Sequence, residues 1–285
     1  MSKVIDRKTN KIYEDSPPKG ANFLYKNIFG RLVLKVANKR FISNIGGSFL
    51  SRKKSVKYIK NFIKDNNIDM SEYEDKEYTS FNDFFTREIK EGKRSFSKDI
   101  KDFCAPSDSK LLVYTIKDQE FTIKNKKYTI ERILRDKELA KEYKNGYFLV
   151  FRLSVDDYHR YSYIDNGTLL SKKEIKGVFN TVAPIAFDKH KVYEENHRKY
   201  EVLDTENFGK IVQMEVGALM VGRIVNHEKR NFTRGEEKGY FLFGGSTIVI
   251  LVKENIIKID KDILENSNKN IETKVKLGER IAKRL

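Results

Sequence analysis

The stretch YFLFGGSTIVILV (240–252) carries the fold assignment of this chain. Two apolar runs flank Gly244 and Gly245. The second, Ile248 to Val252, is purely aliphatic and shows no helical period. A β-branched run of this length after a glycine pair predicts a buried strand. The glycines predict a bend or bulge leading into it, with Ser246 one residue past the bend. That serine has a plain reading as a turn residue and a chemical reading as a nucleophile presented at a strand end.

The same texture recurs beyond residue 105, in KLLVYTI (110–116), YFLVFRLSV (147–155) and KIVQMEVG (210–217). Aromatic and β-branched residues dominate these runs, and Gly, Asn and Asp separate them, so a mostly antiparallel β core is expected. One helical insert is expected at 131–146. The N-terminal part reads differently. On a helical wheel, FLYKNIFGRLVLKVA (23–37) places Tyr25, Ile28, Phe29, Leu32, Val33 and Val36 on one arc, with Lys26, Arg31 and Lys35 outside it. SRKKSVKYIKNFIK (51–64) repeats the theme with Val56, Ile59, Phe62 and Ile63. A short helical pattern in 79–94 ends near Gly92. The fold class expected is α+β, with basic amphipathic N-terminal helices followed by the β core. The divisions are a polar tail (1–20), a helical membrane-associating region (21–94) and a β-rich catalytic core (95–285).

Composition bounds the function. The chain has 285 residues, 39% of them hydrophobic and 12% aromatic, enough for a core despite 34% charged residues. Cys104 is the only cysteine, which excludes an intrachain disulfide and any multi-cysteine metal site, and no metal is expected. No apolar run is long enough to cross a bilayer, and the first twenty residues lack the apolar core of a secretory signal. The net charge is +16, and residues 1–70 hold 16 Lys/Arg against 5 Asp/Glu, a net of +11. An anionic partner is expected, a phospholipid surface or nucleic acid. The plain alternative is a lysine-rich soluble protein. A basic helix with one apolar face fits a membrane interface and equally fits packing on its own core.

The histidines are His159, His190, His197 and His227. His159 follows the strand-like YFLVFRL, where an acid–base group is well presented, and Asp156 and Asp157 beside it are able to hold or charge an imidazole. His190 and His197 are seven apart in a polar stretch and read as solvated. Phosphate-loop, dinucleotide, zinc-protease and nucleophile-elbow motifs are absent. Ser246, His159 and Asp108 (in CAPSDSK) remain as three groups from three segments that suit nucleophile activation if the fold brings them together.

In order along the chain, YTSFNDFFTREIKEGKR (78–94), CAPSDSK (104–110), LSVDDYHRYSYIDNG (153–167), NFGKIVQMEVGALMVGRI (207–224) and FGGSTIVIL (243–251) resemble the motifs of the phosphatidylserine decarboxylases. The resemblance spans about residues 20–280. It implies that the chain cuts itself between Gly245 and Ser246 into chains 1–245 and 246–285, and that Ser246 becomes a covalent pyruvoyl group. That group forms a Schiff base with phosphatidylserine, and loss of CO2 yields phosphatidylethanolamine. It further implies His159 in proton transfer, Asp108 as the group that orients or charges the histidine during cleavage, and Arg160 against the lipid phosphate. Implied partners are phosphatidylserine, an anionic membrane at its cytoplasmic side, and the two cleaved chains as a heterodimer, itself able to pair; nucleic acid is not expected. Three positions depart from the family pattern. Ser162 stands where many members have a second histidine, Ser109 where a glycine is usual, and Gly244 where a leucine is usual. Either His159 serves both steps or maturation relies on other groups. The alternatives are a pyruvoyl decarboxylase for another amino acid-like substrate and an unprocessed homologue that only binds membranes.

Overall fold

A computed structural model describes residues 2–15, 21–27, 29–30, 33–34, 46–218, 223–244 and 246–285. Among these, ten strands form one sheet in the order Asn231–Phe232, Gly167–Ile175, Arg198–Thr205, Gly209–Val216, Ser246–Val252, Tyr147–Leu153, Ser109–Thr115, Glu272–Val275, Ser2–Asp6 and Ile12–Asp15. Its pairings are antiparallel except that of Ser2–Asp6 with Glu272–Val275. The content is mixed α and β with a mostly antiparallel sheet, as expected, but the helices are few.

The strand Ser246–Val252 is buried at every position, between Gly209–Val216 and Tyr147–Leu153. Both faces are covered, so its sequence shows no alternation. Ser246 is its first residue and pairs with Leu153. The helix Lys261–Asn268, which has few apolar residues to announce it, packs on Ser109–Thr115 and Glu272–Val275. It buries Ile263, and Ser267 Oγ accepts the Val113 amide at 3.0 Å.

Three expectations need correction, and one left open is decided. Within the expected polar tail, residues 2–15 form a hairpin on the sheet edge. Asp15 and Glu272 each lie 2.6 Å from the buried Arg152 guanidinium, so the acid in the tail is half of a core ion pair. The helix in 79–94 stops at Phe85, capped at its start by Ser80, and Gly92 lies in a later turn. The insert at 131–146 is two helices, Ile130–Leu134 and Lys137–Lys141. Arg135 takes a left-handed conformation, and Asp136 caps the second helix through the Leu139 amide. Finally, the 51–64 segment is a 3-10 helix, Lys53–Tyr58, followed by the helix Ile59–Asp65. Its apolar side packs inward: Ile59, Val56, Phe62 and Ile63 meet Phe81, Phe84 and Phe85 in a second hydrophobic cluster.

The 23–37 arc divides. Tyr25 is buried, its hydroxyl accepting the Thr181 amide at 2.8 Å, whereas Phe29 and Val33 are exposed. Ile28, Leu32 and Val36 lie outside the described residues. Among the described residues no helix is long and apolar enough to cross a membrane.

Candidate active site

Ser246 and His159, 87 residues apart, meet in the interior. Ser246 Oγ lies 3.3 Å from His159 Nδ1, and both residues are fully buried. The other ring nitrogen, Nε2, lies 2.9 Å from the Ser154 carbonyl oxygen. A carbonyl only accepts, so Nε2 carries the hydrogen and Nδ1 presents its lone pair to the serine hydroxyl. That is the tautomer a proton acceptor for Ser246 needs. Burial lowers the imidazole pKa to about 3; Asp157 works against this and Arg87 with it. The ring is therefore neutral at physiological pH and available to accept.

The turn after Tyr147–Leu153 aims this ring. Asp157 Oδ2 accepts the Ser154 amide at 2.7 Å, and the Ser154 carbonyl accepts the Asp157 amide at 3.0 Å. This reciprocal pair fixes the carbonyl that holds Nε2. Lys110 Nζ, at 2.8 Å, neutralises Asp157. Asp157 thus supports the histidine through Ser154 and through its field.

The N-terminal segment supplies the wall. The Phe85 ring lies on the His159 ring with centroids 4.1 Å apart. Phe243, in the loop before Ser246, packs edge-on against Phe81, Phe85 and Phe62 at 5.0, 5.1 and 6.0 Å. Asn82 Oδ1 accepts the Phe243 amide at 3.0 Å, while its Nδ2 donates to the Gly47 carbonyl and Ser51 Oγ. Residues 46–94 therefore build the site. Gly244 has φ 139°, where a side chain is strained, so glycine in place of the usual leucine has a backbone reason. Gly245 lies outside the described residues.

Asp108 is not brought to the histidine. Both ring nitrogens are occupied, and the Asp108 carboxylate is held by Arg94 at 2.7 and 2.8 Å, Lys276 Nζ at 2.9 Å and the Leu277 amide at 2.8 Å. Burial alone raises its pKa, but Arg94 and Lys276 outweigh this and hold it below the usual carboxylate range. Asp108 is a clamp between residue 94 and the C-terminal loop. Arg160, expected against the lipid phosphate, is paired within the chain, to Glu237 at 2.9 and 3.1 Å, Glu88 at 3.0 Å and the Thr86 carbonyl at 2.8 Å. Ser162 is buried on a short strand with its amide on the Pro106 carbonyl. His227 joins Glu237 at 2.7 Å. His197, read as solvated, is buried against Phe179, and His190 is half-buried beside Glu195.

A profile of the family described as "Phosphatidylserine decarboxylase" matches residues 81–283. The chain belongs to the phosphatidylserine decarboxylase family. It is 54% identical over 282 residues to the "Phosphatidylserine decarboxylase proenzyme 2" of Clostridium acetobutylicum, covering 98% of this chain and 97% of that one. It is 42% identical to the "Phosphatidylserine decarboxylase proenzyme" of Fusobacterium nucleatum (97% and 95% covered) and 39% identical to that of Clostridium tetani (100% and 99%). Within this decarboxylase fold, Asn82, Phe85, Ser154 and Phe243 escaped the sequence reading as site residues, whereas Asp157 was singled out beside His159. The FNDFF run was visible as a motif, but its task of backing a histidine 74 residues later (Phe85 to His159) was not.

The Asp108 clamp leads to a prediction. Asp108→Asn leaves Arg94 and Lys276 facing a neutral group, at a cost of about 3–5 kcal/mol, the usual penalty for breaking a buried pair on one side. Denaturant unfolding should show that loss. The protein that remains folded should keep the Ser246–His159 contact and still cleave. A fully stable Asp108→Asn that fails to cleave would return Asp108 to the chemistry.

Proposed function

We propose that this chain is a phosphatidylserine decarboxylase that cuts itself between Gly245 and Ser246 and works with a pyruvoyl group made from Ser246. The buried contact of Ser246 Oγ with His159 Nδ1 carries the reading, in a chain whose relatives are named proenzymes. The serine fits as the source of the group: its hydroxyl faces a locked proton acceptor, and glycine precedes it.

Ser246 Oγ attacks the Gly245 carbonyl carbon while Nδ1 takes the hydroxyl proton. The peptide C–N bond breaks and the Ser246 nitrogen receives the proton, leaving an ester. Loss of the Ser246 Hα and cleavage of the Cβ–Oγ bond free Gly245 as a carboxylate and leave dehydroalanine. Water replaces its nitrogen, which departs as ammonia. The resulting group supplies an electron sink for the carbon that loses CO2. His159, still facing the start of the strand, is placed to hold the proton that replaces CO2. Phe85, Phe243 and Phe81 keep water from the ring. The cleaved chains stay together as a heterodimer because Ser246–Val252 is paired along both edges by strands of the larger chain. Intact mass tests the reading. Two chains are expected, 1–245 and an amino-blocked 246–285, with CO2 released from phosphatidylserine. A whole chain that decarboxylates normally would sink it.

The membrane contact belongs to the exposed apolar residues of the basic N-terminal segment, Phe23, Phe29, Val33, Phe49 and Tyr58, which would seat the protein peripherally on the cytoplasmic face. Phe29→Glu with Val33→Glu should lower binding to anionic vesicles at least tenfold and leave cleavage intact, since neither residue belongs to the cluster around Phe243. High salt should release only part of the wild type, because screening (a Debye length of roughly 3 Å at 1 M) removes charge attraction and leaves apolar insertion. Vesicle flotation at low and high salt reads both effects, and unchanged binding of the double variant would rule this surface out.

A further inference from the structure

Arg87 stands beside the site; its charge helps to keep His159 neutral, but it neither gives nor takes a proton in the chemistry above. It is fully buried, its guanidinium lying over Tyr73 at 4.2 Å and Phe84 at 5.0 Å. One nitrogen, Nη2, donates to the Tyr73 hydroxyl at 3.2 Å and the Asp156 carbonyl at 3.4 Å. Nε and Nη1 are buried with no hydrogen-bond partner. Among the described residues no acidic side chain pairs with Arg87. The Tyr78 hydroxyl is also buried without a partner, on a ring that packs edge-on against the same Phe84 at 5.3 Å. Donors are in excess here and an acceptor is missing. A buried cation without a counter-charge is costly, and free guanidinium N–H groups are matched by the oxygens of a phosphate or carboxylate.

The position relates this gap to the reacting atoms. Arg87 follows Phe85, which lies on His159, and it donates to the carbonyl of Asp156, three residues before that histidine. On the decarboxylase reading above, on which this inference rests, the lipid head group brings two anions. The carboxylate departs as CO2, and a cation holding it would stabilise the substrate more than the transition state. The phosphodiester keeps its charge from substrate to product. We propose that Arg87, with the Tyr78 hydroxyl, is the subsite for the phosphate ester of the head group.

Calorimetric titration of the purified full chain with glycerophosphoethanolamine tests this, since the product head group binds without loss of CO2 and any Schiff base formed by its amine is common to wild type and variants. Arg87→Met should bind it at least tenfold more weakly than wild type, and Arg87→Lys should fall between. Methoxyethylamine, the amine without the phosphate, should bind wild type and Arg87→Met alike. Inorganic phosphate should bind wild type more weakly than the ester does; equal or tighter binding would make this a free-phosphate site and overturn the assignment. With dihexanoyl phosphatidylserine, Arg87→Met should raise KM at least tenfold with kcat within threefold. Removing an unpaired buried charge should not lower the thermal midpoint of the Met variant. Equal affinity of wild type and both variants for glycerophosphoethanolamine overturns the proposal. If the wild-type chain proves uncleaved, the decarboxylase reading fails, while the contrast between wild type and Arg87→Met still decides the subsite.

Discussion

Ser246→Ala will purify as a single uncut chain of 285 residues with no decarboxylase activity. The hydroxyl is the group whose oxygen faces the His159 lone pair, and a methyl group can neither attack a carbonyl nor supply the oxygen of an ester. The fold should survive. Ser246 is the first residue of a strand held by backbone pairing on both sides, so alanine there disturbs a side-chain contact and not the ladder. The loss should therefore be complete by mass spectrometry and unaccompanied by a fall in thermal midpoint of more than a few degrees. Two chains from the alanine variant would remove Ser246 from the cleavage step.

His159→Gln will slow cleavage by about 10²–10⁴-fold, the range that a positioned proton acceptor contributes. Glutamine is the informative replacement because its amide still reaches for the Ser154 carbonyl and fills part of the space against Phe85, but is no base. Any pyruvoyl enzyme that does form should turn over poorly as well, since the same ring faces the reacting carbon. The pH profile carries a sign. Protonation fills Nδ1 and removes the acceptor, and burial holds that event near pH 3. Wild-type cleavage should therefore be flat from about pH 5 to 8 and fail only on strong acidification. A step near pH 6.5, the unperturbed histidine value, would contradict the buried neutral ring. Stability follows the same shift. The unfolded chain protonates this histidine from about pH 6.5 downward and the folded chain does not until about pH 3, so the fold loses stability as pH falls through that window. Ser162→His adds a separate check: Ser162 makes its amide contact with Pro106 and none with Ser246, so a histidine there should speed cleavage only if the short strand shifts.

Much of the site's cast was legible from residue types alone. A glycine pair before a polar residue and an aliphatic run marks a strand entry, because an uninterrupted β-branched run is stable only when covered on both faces. The sequence by itself therefore determined the central strand, Ser246 at its first position, His159 just beyond a second strand, and the mostly antiparallel core. Partner choice was decided by the tertiary structure. Asp108 turned away from His159 because the C-terminal loop, 168 residues later, delivers Lys276 and the Leu277 amide to its carboxylate alongside Arg94. Arg160 was taken by Glu237 and Glu88, and the supposed tail became an edge hairpin because Asp15 neutralises buried Arg152. The lysine-flanked segment 51–64 turned its apolar side to Phe81, Phe84 and Phe85, which lie outside it in sequence. Local pattern encodes which residues seek burial or charge. Which opposite charge or ring meets them is set by segments distant in the chain, through contacts whose energies exist only once the sheet has closed.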